Sequence, residues 1–463
     1  MNDTPTASSP FVLNNIRMFI AFRVFFNARF YYPVFTILFL DFGLTISQFA
    51  LLNVVWAGTI VLMEVPSGAL ADIWGRRNLL VLASLLMIAE LLLMCFAPLG
   101  RPNLLFAIFL INRVLSGTAE AAASGADEAI AFDSLKAAGL AADWGKVLAM
   151  QMRVRSMAFI FAMAVGAAVY DPVFMQRLTG WFGWQVSLTQ EITIRFPIYL
   201  TLIMAFLSLY ATLHMTDTDL PLSYTDECSP MEKCGLTAKE IILQTLQAGK
   251  WILNTPFAMV IIAAGFLFDS IIRMAGTLAS QYYRLIEFPE ATFGIIGSGM
   301  AILGIIIPRI SMKMVEQHTP RFNLLVVSAT TIIGLYGMSF FTPFYGLIPV
   351  AVLYSGSYMI GFFVSHYLNH ITASSRRATV LSFKGLSMNL SYGVIGLLYS
   401  FLIAMLRPGV SERHPQMASQ ALENLVFIQS FQWFPWTFIV GLVVFLVFAK
   451  YKLGSSTNEG VIR

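Results

Sequence analysis

Charged side chains are scarce in this sequence. Asp, Glu, Lys and Arg make up 12% of the 463 residues, whereas 57% are hydrophobic. Soluble domains carry about 25% charged residues, so a chain of this length lacks the polar surface that a soluble globule needs. The net charge of +4 comes from scattered loop residues and not from a basic block, which gives no support to a nucleic-acid partner. The composition predicts a polytopic membrane protein.

Cysteine is also rare. Cys95, Cys228 and Cys234 form neither a disulfide framework nor a metal-ligand spacing. The sequence lacks a phosphate-binding Gly-Lys-Ser/Thr loop that would suggest ATP-driven transport, and its apolar runs contain no convincing nucleophile with a nearby base. We therefore expect neither an enzyme nor a cofactor.

Residues 1–14 lack the pattern of a signal peptide, so we expect the first membrane helix to direct insertion.

Long apolar runs dominate what is present. A spanning helix needs about 20 mostly apolar residues, and twelve runs qualify. They lie near residues 16–40, 46–67, 78–97, 103–126, 147–169, 194–214, 254–280, 291–310, 321–341, 345–370, 378–406 and 432–450. The sequence thus predicts an all-α polytopic protein.

A polar connection, residues 215–253, divides the twelve runs into six and six. Within it, Thr237 and Glu240 have the spacing of a capping box before an apolar stretch. We expect a flexible stretch followed by a short amphipathic helix on the inner membrane surface. The predicted domains are an amino-terminal six-helix bundle, 1–214, this linker, and a carboxyl-terminal bundle, 254–463.

The distribution of Lys and Arg predicts the orientation. With both termini in the cytoplasm, 16 of the 29 basic residues lie in cytoplasmic loops and tails, and only six lie in outer loops. Cytoplasmic loops of membrane proteins carry such an excess. We expect a bacterial inner membrane protein with cytoplasmic termini that functions as a monomer.

Between the second and third runs, Glu64–Asn78 is predicted to be a tight cytoplasmic loop. Its pattern Gly68-x-Leu70-Ala71-Asp72-x-x-Gly75-Arg76-Arg77 resembles the loop signature of the major facilitator superfamily of secondary transporters. The resemblance implies two pseudo-symmetric six-helix bundles, with spans one, four, seven and ten lining a central cavity. It also leads us to expect that Asp72 and Arg76 lock the cytoplasmic ends of the bundles together when the transporter faces outward.

Two pairs of basic residues support an internal duplication. Lys146 and Arg153 at the start of span five, and Arg377 and Lys384 at the start of span eleven, are each seven residues apart and share one helix face. We expect both pairs to flank the cytoplasmic gate. The predicted gate residues are Glu64, Gly68, Asp72, Gly75, Arg76, Arg77, Lys146, Arg153, Arg377 and Lys384.

Ionisable side chains inside the apolar runs are candidates for the transport pathway. Each costs about 2.5–3.5 kcal/mol on insertion scales, so such residues face a wet cavity or a partner. The candidates lie on spans one, four and seven: Asn27, Arg29, Arg113, Glu120, Asp269 and Arg273. The sequence leaves the roles of Glu90, His366 and His370 open, with a protonated or hydrogen-bonded carboxyl preferred for Glu90.

Span four carries the predicted proton carrier. Arg113-x-x-x-Gly117 resembles the spacing in the fourth helix of proton-coupled exporters, and Glu120 lies on the same face as Arg113. Burial opposes the charge of Glu120 while Arg113 favours it, so we expect Glu120 to bind and release the proton. A structural ion pair remains an alternative role for Arg113. The same alternative holds for Asp269 and Arg273, whose four-residue spacing allows pairing along one helix.

These patterns predict a secondary transporter that works by alternating access. Our first expectation is proton-coupled efflux of a small amphipathic compound, because the charged residues and the 39 phenylalanines suit such a ligand. Uptake of a small organic anion at Arg29 and Arg113 is the second, and a lipid flippase with the same fold is the third.

Overall fold

The computed structural model describes residues 9–184, 186–217, 252, 254–372 and 377–456. Within these ranges, side chains are not described at residues 65, 68, 69, 72, 73, 377–379, 381, 382, 455 and 456. Most of the predicted linker 215–253, with its amphipathic helix and two cysteines, lies outside the described residues.

Helices and short 3-10 turns account for the regular structure of the described residues, which contain no β-strand. The helices are α1 (Asn14–Asn27), α2 (Phe35–Phe42), α3 (Ile46–Trp74), α4 (Arg76–Cys95), α5 (Pro102–Ala123), α6 (Ala126–Ala137), α7 (Trp144–Tyr170), α8 (Pro172–Trp181), α9 (Gln190–Thr193), α10 (Phe196–Leu213), α11 (Pro256–Thr277), α12 (Ala279–Leu285), α13 (Phe293–Gln317), α14 (Pro320–Met338), α15 (Leu347–Ile371), α16 (Arg377–Arg413), α17 (Ser419–Phe431) and α18 (Trp433–Ser456).

Proline and side-chain caps begin several of these helices. Asp171 precedes Pro172 at the start of α8, and its carboxylate accepts hydrogen bonds from the N–H groups of Val173 (2.8 Å) and Phe174 (3.1 Å). Thr319 precedes Pro320 at the start of α14 in the same way. Proline fits the first helical turn because that turn has no use for its missing N–H, while the cap satisfies a neighbouring donor.

Eleven helical segments of the described residues are long and apolar enough to cross a membrane. The first predicted span is not among them because it is split into α1 and α2. With this broken pair counted as one span, the described helices supply the twelve spans that the sequence predicts.

The chain divides into two compact units. The first consists of Met1–Tyr32, Thr59–Pro98 and Ala107–Ile241. The second consists of Pro33–Gly58, Leu99–Phe106 and Ile242–Arg463. In the first unit, α1 packs against α6, α7 and α10; in the second, α11 packs against α15, α16 and α18. The predicted domain boundaries 1–214, 215–253 and 254–463 stay a prediction.

The first span is not the continuous helix that residues 16–40 predict. α1 ends at Asn27, and Ala28 leaves the helical region with ψ at 70°. Pro33 explains part of this break, because proline lacks an N–H and disfavours the helical conformation of the residue before it. The break places four polar or aromatic residues between two half-helices inside a predicted span.

The predicted loop Glu64–Asn78 is also corrected. α3 continues through it to Trp74, and α4 begins at Arg76, so the turn is a single residue, Gly75, with φ at +86°. Pro66 lies inside α3 and does not end it. The run Ala69-Leu70-Ala71 consists of strong helix formers, which outweighs the glycine and charge pattern that favours a loop.

The predicted span four, 103–126, agrees with α5 to within three residues, but a second helix follows it. α5 ends at Ala123, Gly125 adopts φ +78°, and a separate helix, α6, follows. Ala131 and Leu135 of α6 pack in a buried cluster with Ile16 and Phe19 of α1. Asp127 and Glu128, which follow span four, therefore lie on a helix that packs on α1 and α4.

Candidate functional site

The break after α1 exposes backbone groups that neighbouring helices satisfy. The N–H of Phe30 donates to Oγ1 of Thr201 on α10 (3.0 Å), and Thr201 donates onward to the carbonyl of Pro197 (2.7 Å). Gly166 of α7 lies against the same segment, where an added Cβ would overlap the carbonyl oxygen of Phe30. Irregular backbone at membrane depth is tolerated only where protein or water satisfies it. The structure holds this segment with one hydroxyl and one close helix approach.

Arg29, in the break, forms an ion pair with Glu90 of α4. Nη1 of Arg29 contacts Oε1 of Glu90, and the two side chains are 3% and 1% exposed. The same nitrogen lies 3.3 Å from the hydroxyl of Tyr31, and the guanidinium lies over the ring of Phe26 at 5.4 Å from its centroid. This contact gives Glu90 the role that the sequence leaves open. It neutralises the arginine of the broken span.

Asn112 and Arg113 of α5 extend this cluster. Nδ2 of Asn112 donates to the backbone carbonyl of Glu90 (2.9 Å), and both residues of α5 are buried. Arg113 is close enough to Tyr31 for an electrostatic interaction. The predicted residues Arg29 and Arg113 thus belong to one polar cluster of the first unit.

Glu120, about two helical turns after Arg113 on the same face of α5, lies within electrostatic range of Arg29 and Glu90. Its side chain is partly exposed. Among the residues that the structure describes, the side-chain carboxylate of Glu120 has no hydrogen-bond or ion-pair partner. The cluster therefore contains one paired carboxylate, Glu90, and one carboxylate whose oxygens remain available, Glu120.

The other polar residues of span one, Asn27 and Arg23, have structural contacts. Asn27 donates from Nδ2 to the carbonyl of Arg23 (2.8 Å), at the end of α1. Arg23 pairs with Asp127 (Nε to Oδ2, 2.5 Å) and Glu128 (Nη2 to Oε1, 2.6 Å) at the start of α6. These contacts connect α1 to α6.

A second polar cluster lies in the second unit. Nη2 of Arg273 pairs with Oδ2 of Asp269 one turn earlier on α11 (2.5 Å), as the four-residue spacing predicts. Nη1 of Arg273 donates to Oδ1 of Asn389 on α16 (3.2 Å). Lys384 of the same helix interacts electrostatically with Asp269. The side chains of Arg273 and Asp269 are 33% and 29% exposed, so this cluster has an open face.

A third polar cluster, which also lies in the second unit, was not predicted from the sequence. Arg284, at the end of α12, donates from Nη1 and Nη2 to the two oxygens of Asp41 (2.8 and 2.6 Å), and from Nε to Oε1 of Glu290 (2.8 Å). Close by, the hydroxyl of Ser280 accepts hydrogen bonds from the first N–H groups of α2. These contacts hold α2 to α12. The predicted topology places them near the outer side of the membrane.

The signature residues pack within the first unit. Arg76 forms an ion pair with Asp133 of α6. The N–H of Arg77 donates to Oδ1 of Asp217 (3.0 Å), and Nη2 of Arg77 donates to the carbonyl of Leu213 (3.0 Å). A Cβ on Gly75 would lie 2.6 Å from Oδ2 of Asp217. Gly75 thus meets two requirements, a positive φ and a close carboxylate.

The remaining predicted gate residues are more dispersed. One oxygen of Glu64 is buried and has no hydrogen-bond partner among the described residues. Lys146 pairs with Asp143 (2.7 Å), and Arg153 is exposed on the same helix, α7. Lys384 belongs to the Asp269 cluster. The side chains of Asp72 and Arg377 and the surroundings of Gly68 lie outside the described residues, so their predicted gate roles are unchanged.

The sequence did not predict which residues Glu90, the signature arginines and Arg284 contact. Glu90 can be recognised in the sequence because it is a lone carboxylate in an apolar run, but the sequence does not identify Arg29 as its partner. The partners Asp133 and Asp217 lie in short polar stretches that resemble any loop. Asp41 and Arg284 are 243 residues apart, and only the folded chain brings them together.

A family model described as the Major Facilitator Superfamily matches residues 17–396 of the chain. The chain belongs to this superfamily. Membership confirms the family and the fold that the Gly68–Arg77 signature predicts, and makes the protein a membrane-spanning secondary transporter of small molecules. A search of curated protein sequences found no significant match.

Solved structures of superfamily transporters share the fold. The nucleoside transporter NupG matches with a TM-score of 0.68 at 13% identity, over 95% of this chain and 98% of that one. A bacterial homologue of the human lysosomal transporter Spinster matches with a TM-score of 0.67 at 14% identity, over 97% and 98%. The xylose transporter XylE from E. coli gives 0.57 at 12% identity, over 94% and 98%. Identities this low establish the fold alone.

Proposed function

We propose that this superfamily member is a proton-coupled transporter that exports a small amphipathic compound by alternating access. One observation carries the proton coupling. Glu120 is a partly exposed carboxylate on a predicted cavity helix, and it has no hydrogen-bond or ion-pair partner among the described residues. Two opposing effects act on the charge of this carboxylate: burial opposes the charged form, and Arg29 nearby stabilises it.

The neighbouring ion pair supports this role. Glu90 already compensates the charge of Arg29, so Glu120 is not needed to neutralise the arginine. Protonation of Glu120 therefore leaves the buried pair intact while it removes one negative charge from the cluster. That separation between a fixed pair and a titrating group is what a proton carrier requires.

The same pair weighs against uptake of an organic anion at Arg29. The guanidinium is 3% exposed and has a carboxylate of the protein as its partner. An incoming anion would have to displace Glu90 and leave a buried carboxylate uncompensated, which is strongly unfavourable. We therefore place no substrate anion at Arg29.

The broken first span suits alternating access. α1 packs in the first unit, and α2 packs on α12 in the second unit through the Asp41–Arg284 pair. Transporters of this kind use discontinuous helices at their binding sites, and rigid-body movement of one bundle against the other exposes the site to either side. We propose that the Arg29 segment is where the chain bends during this movement.

The test uses Glu120→Gln in proteoliposomes. A thermal-shift screen of the purified wild type first identifies a transported compound, since a bound ligand stabilises the fold. We expect Glu120→Gln to lose accumulation driven by a pH gradient and to retain counterflow of labelled compound without a gradient. Gradient-driven accumulation at the wild-type rate would overturn the assignment of Glu120. Movement of labelled phospholipid between leaflets, with no transport of soluble compounds, would indicate a flippase instead.

A further inference from the structure

The open face of the Asp269–Arg273 cluster offers positive charge. Arg273 and Lys384 carry two positive charges against the one negative charge of Asp269. Asp269 and Arg273 lie within a helix that is long and apolar enough to span the membrane, yet about a third of each side chain is exposed. Charged groups at membrane depth face water-filled space or a partner and not lipid. The exposed face is therefore wet, and it has an excess of one positive charge.

Three contacts hold the guanidinium of Arg273 in place. Asp269 and Asn389 fix its two terminal nitrogens, and the guanidinium carbon lies 5.5 Å from the centroid of the Tyr392 ring. Arginine has five N–H donors in a rigid plane, and the contacts with Asp269 and Asn389 use only some of them. A planar cation that is already oriented loses little entropy when it binds an anion.

Aromatic side chains border the cation. Trp56 of α3 meets the Tyr392 ring edge-to-face, with centroids 6.5 Å apart, and is itself partly exposed. The hydroxyl of Tyr392 lies 3.1 Å from that of Thr277 on α11, which fixes the ring. All these residues belong to the second unit. The partly exposed indole of Trp56 and the guanidinium of Arg273 both lie against the Tyr392 ring, so one ring connects an aromatic surface that can stack on a ligand with a cation that can bind an anion.

We infer that this cluster binds the substrate, and that the substrate is an aromatic compound with an anionic group: Arg273 and Lys384 contact the anion, and Trp56 contacts the ring. The inference rests on the proposed transport function and adds the substrate class. Asp269 has a positioning role. It holds Arg273 in its orientation but repels the ligand's charge.

The test measures binding by calorimetry with purified protein in lipid nanodiscs. The probes are benzoate, 2-naphthoate, 2-naphthol, 2-naphthylmethylamine and cyclohexanecarboxylate. We expect an aromatic carboxylate to bind best. The neutral naphthol should bind about tenfold more weakly, because it lacks the charge-assisted hydrogen bonds. The amine should not bind. If neither aromatic carboxylate binds below about 10 mM, or if the amine binds best, the inference is wrong.

Variants separate ligand binding from structural pairing. Arg273→Gln and Lys384→Met should each weaken binding of 2-naphthoate about tenfold, and Trp56→Leu should weaken naphthoate more than cyclohexanecarboxylate. Asp269→Asn keeps an amide oxygen that can accept the hydrogen bond from Arg273 and removes the negative charge near the anion, so it should strengthen naphthoate binding. Lys313→Gln, an exposed lysine on α13, is the matched control and should bind as the wild type does. Equal weakening by Asp269→Asn and Arg273→Gln would show that the pair serves only the fold.

Failure of this inference and failure of the proposed function give different results. Binding needs no proton gradient, so calorimetry tests the site without testing proton coupling. Binding without any proton-coupled flux would retain the site and overturn the function. Coupled flux of another compound, with no affinity for aromatic carboxylates, would retain the function and overturn the site.

Discussion

Arg29 with Glu90 in the first unit and Arg273 with Asp269 in the second have the same chemistry in different surroundings. The first pair joins two separate segments, the broken span and α4, and is almost fully buried. The second lies along one helix and is about a third exposed. A buried pair that loses one partner leaves an uncompensated charge, whereas water compensates the remaining partner of an exposed pair. The comparison supports a structural role for the first pair and agrees with the ligand site that we propose for the second.

The Arg284–Asp41 pair is intermediate between these two. Its side chains are 22% and 13% exposed, and the arginine contacts both carboxylate oxygens. If burial governs the cost of breaking an ion pair, then breaking the most buried pair should destabilise the protein most, and breaking the most exposed pair should destabilise it least. Three substitutions test this order.

The largest loss is expected for Glu90→Ala. It leaves Arg29 buried without its carboxylate, which costs about 3–5 kcal/mol. The measurement is the melting temperature of purified protein in detergent, together with the yield of folded protein from membranes. The double variant Arg29→Met with Glu90→Leu is the control, and it should recover most of the loss because it removes both charges. A single variant as stable as the wild type would mean that burial does not set the cost here.

A smaller loss is expected for Asp41→Asn. It removes one charge from a partly exposed bidentate contact, and Glu290 remains as a second partner of Arg284, so the cost should be about 1 kcal/mol. Arg284→Gln should lower the melting temperature more than Asp41→Asn, since it removes both contacts at once. The reverse order would show that Arg284 is not the centre of this cluster.

The smallest loss is expected for Asp269→Asn and Arg273→Gln. Pairs four residues apart on a helix contribute about 0.3–0.5 kcal/mol, so either melting temperature should stay close to that of the wild type. Exchanging the two residues should also change little, although acid before base is the better order on a helix. A loss as large as that of Glu90→Ala would place this pair in the fold and end the contrast between the units.

Parts of the candidate site were predictable because they depend on local spacing. Asp269 and Arg273 pair as two residues four apart on a helix do. Gly75 of the signature adopts a positive φ, which glycine allows without strain. Arg29, Arg113 and Glu120 stand out because ionisable groups are rare in apolar runs, and this rarity alone marked them.

Other parts were mispredicted because local signals conflicted with packing. The glycines and charges of Glu64–Asn78 favour a loop, yet α3 continues to Trp74. The apolar run of the first span favours one helix, yet the chain breaks at Ala28, where Thr201 and the close approach at Gly166 hold the irregular backbone. A pattern of hydrophobicity reports that a segment is buried but does not report which neighbour satisfies its backbone.

By itself, the sequence determined that this chain spans a membrane, how many spans it has and which superfamily it belongs to, because hydrophobic length and a contiguous motif are properties of neighbouring residues. Only the tertiary structure decided which charges are neutralised. Arg29 and Glu90 are 61 residues apart, and Asp41 and Arg284 are 243 apart. Charges at membrane depth are tolerated or functional according to the partner that faces them, and that partner is set by the packing of distant helices.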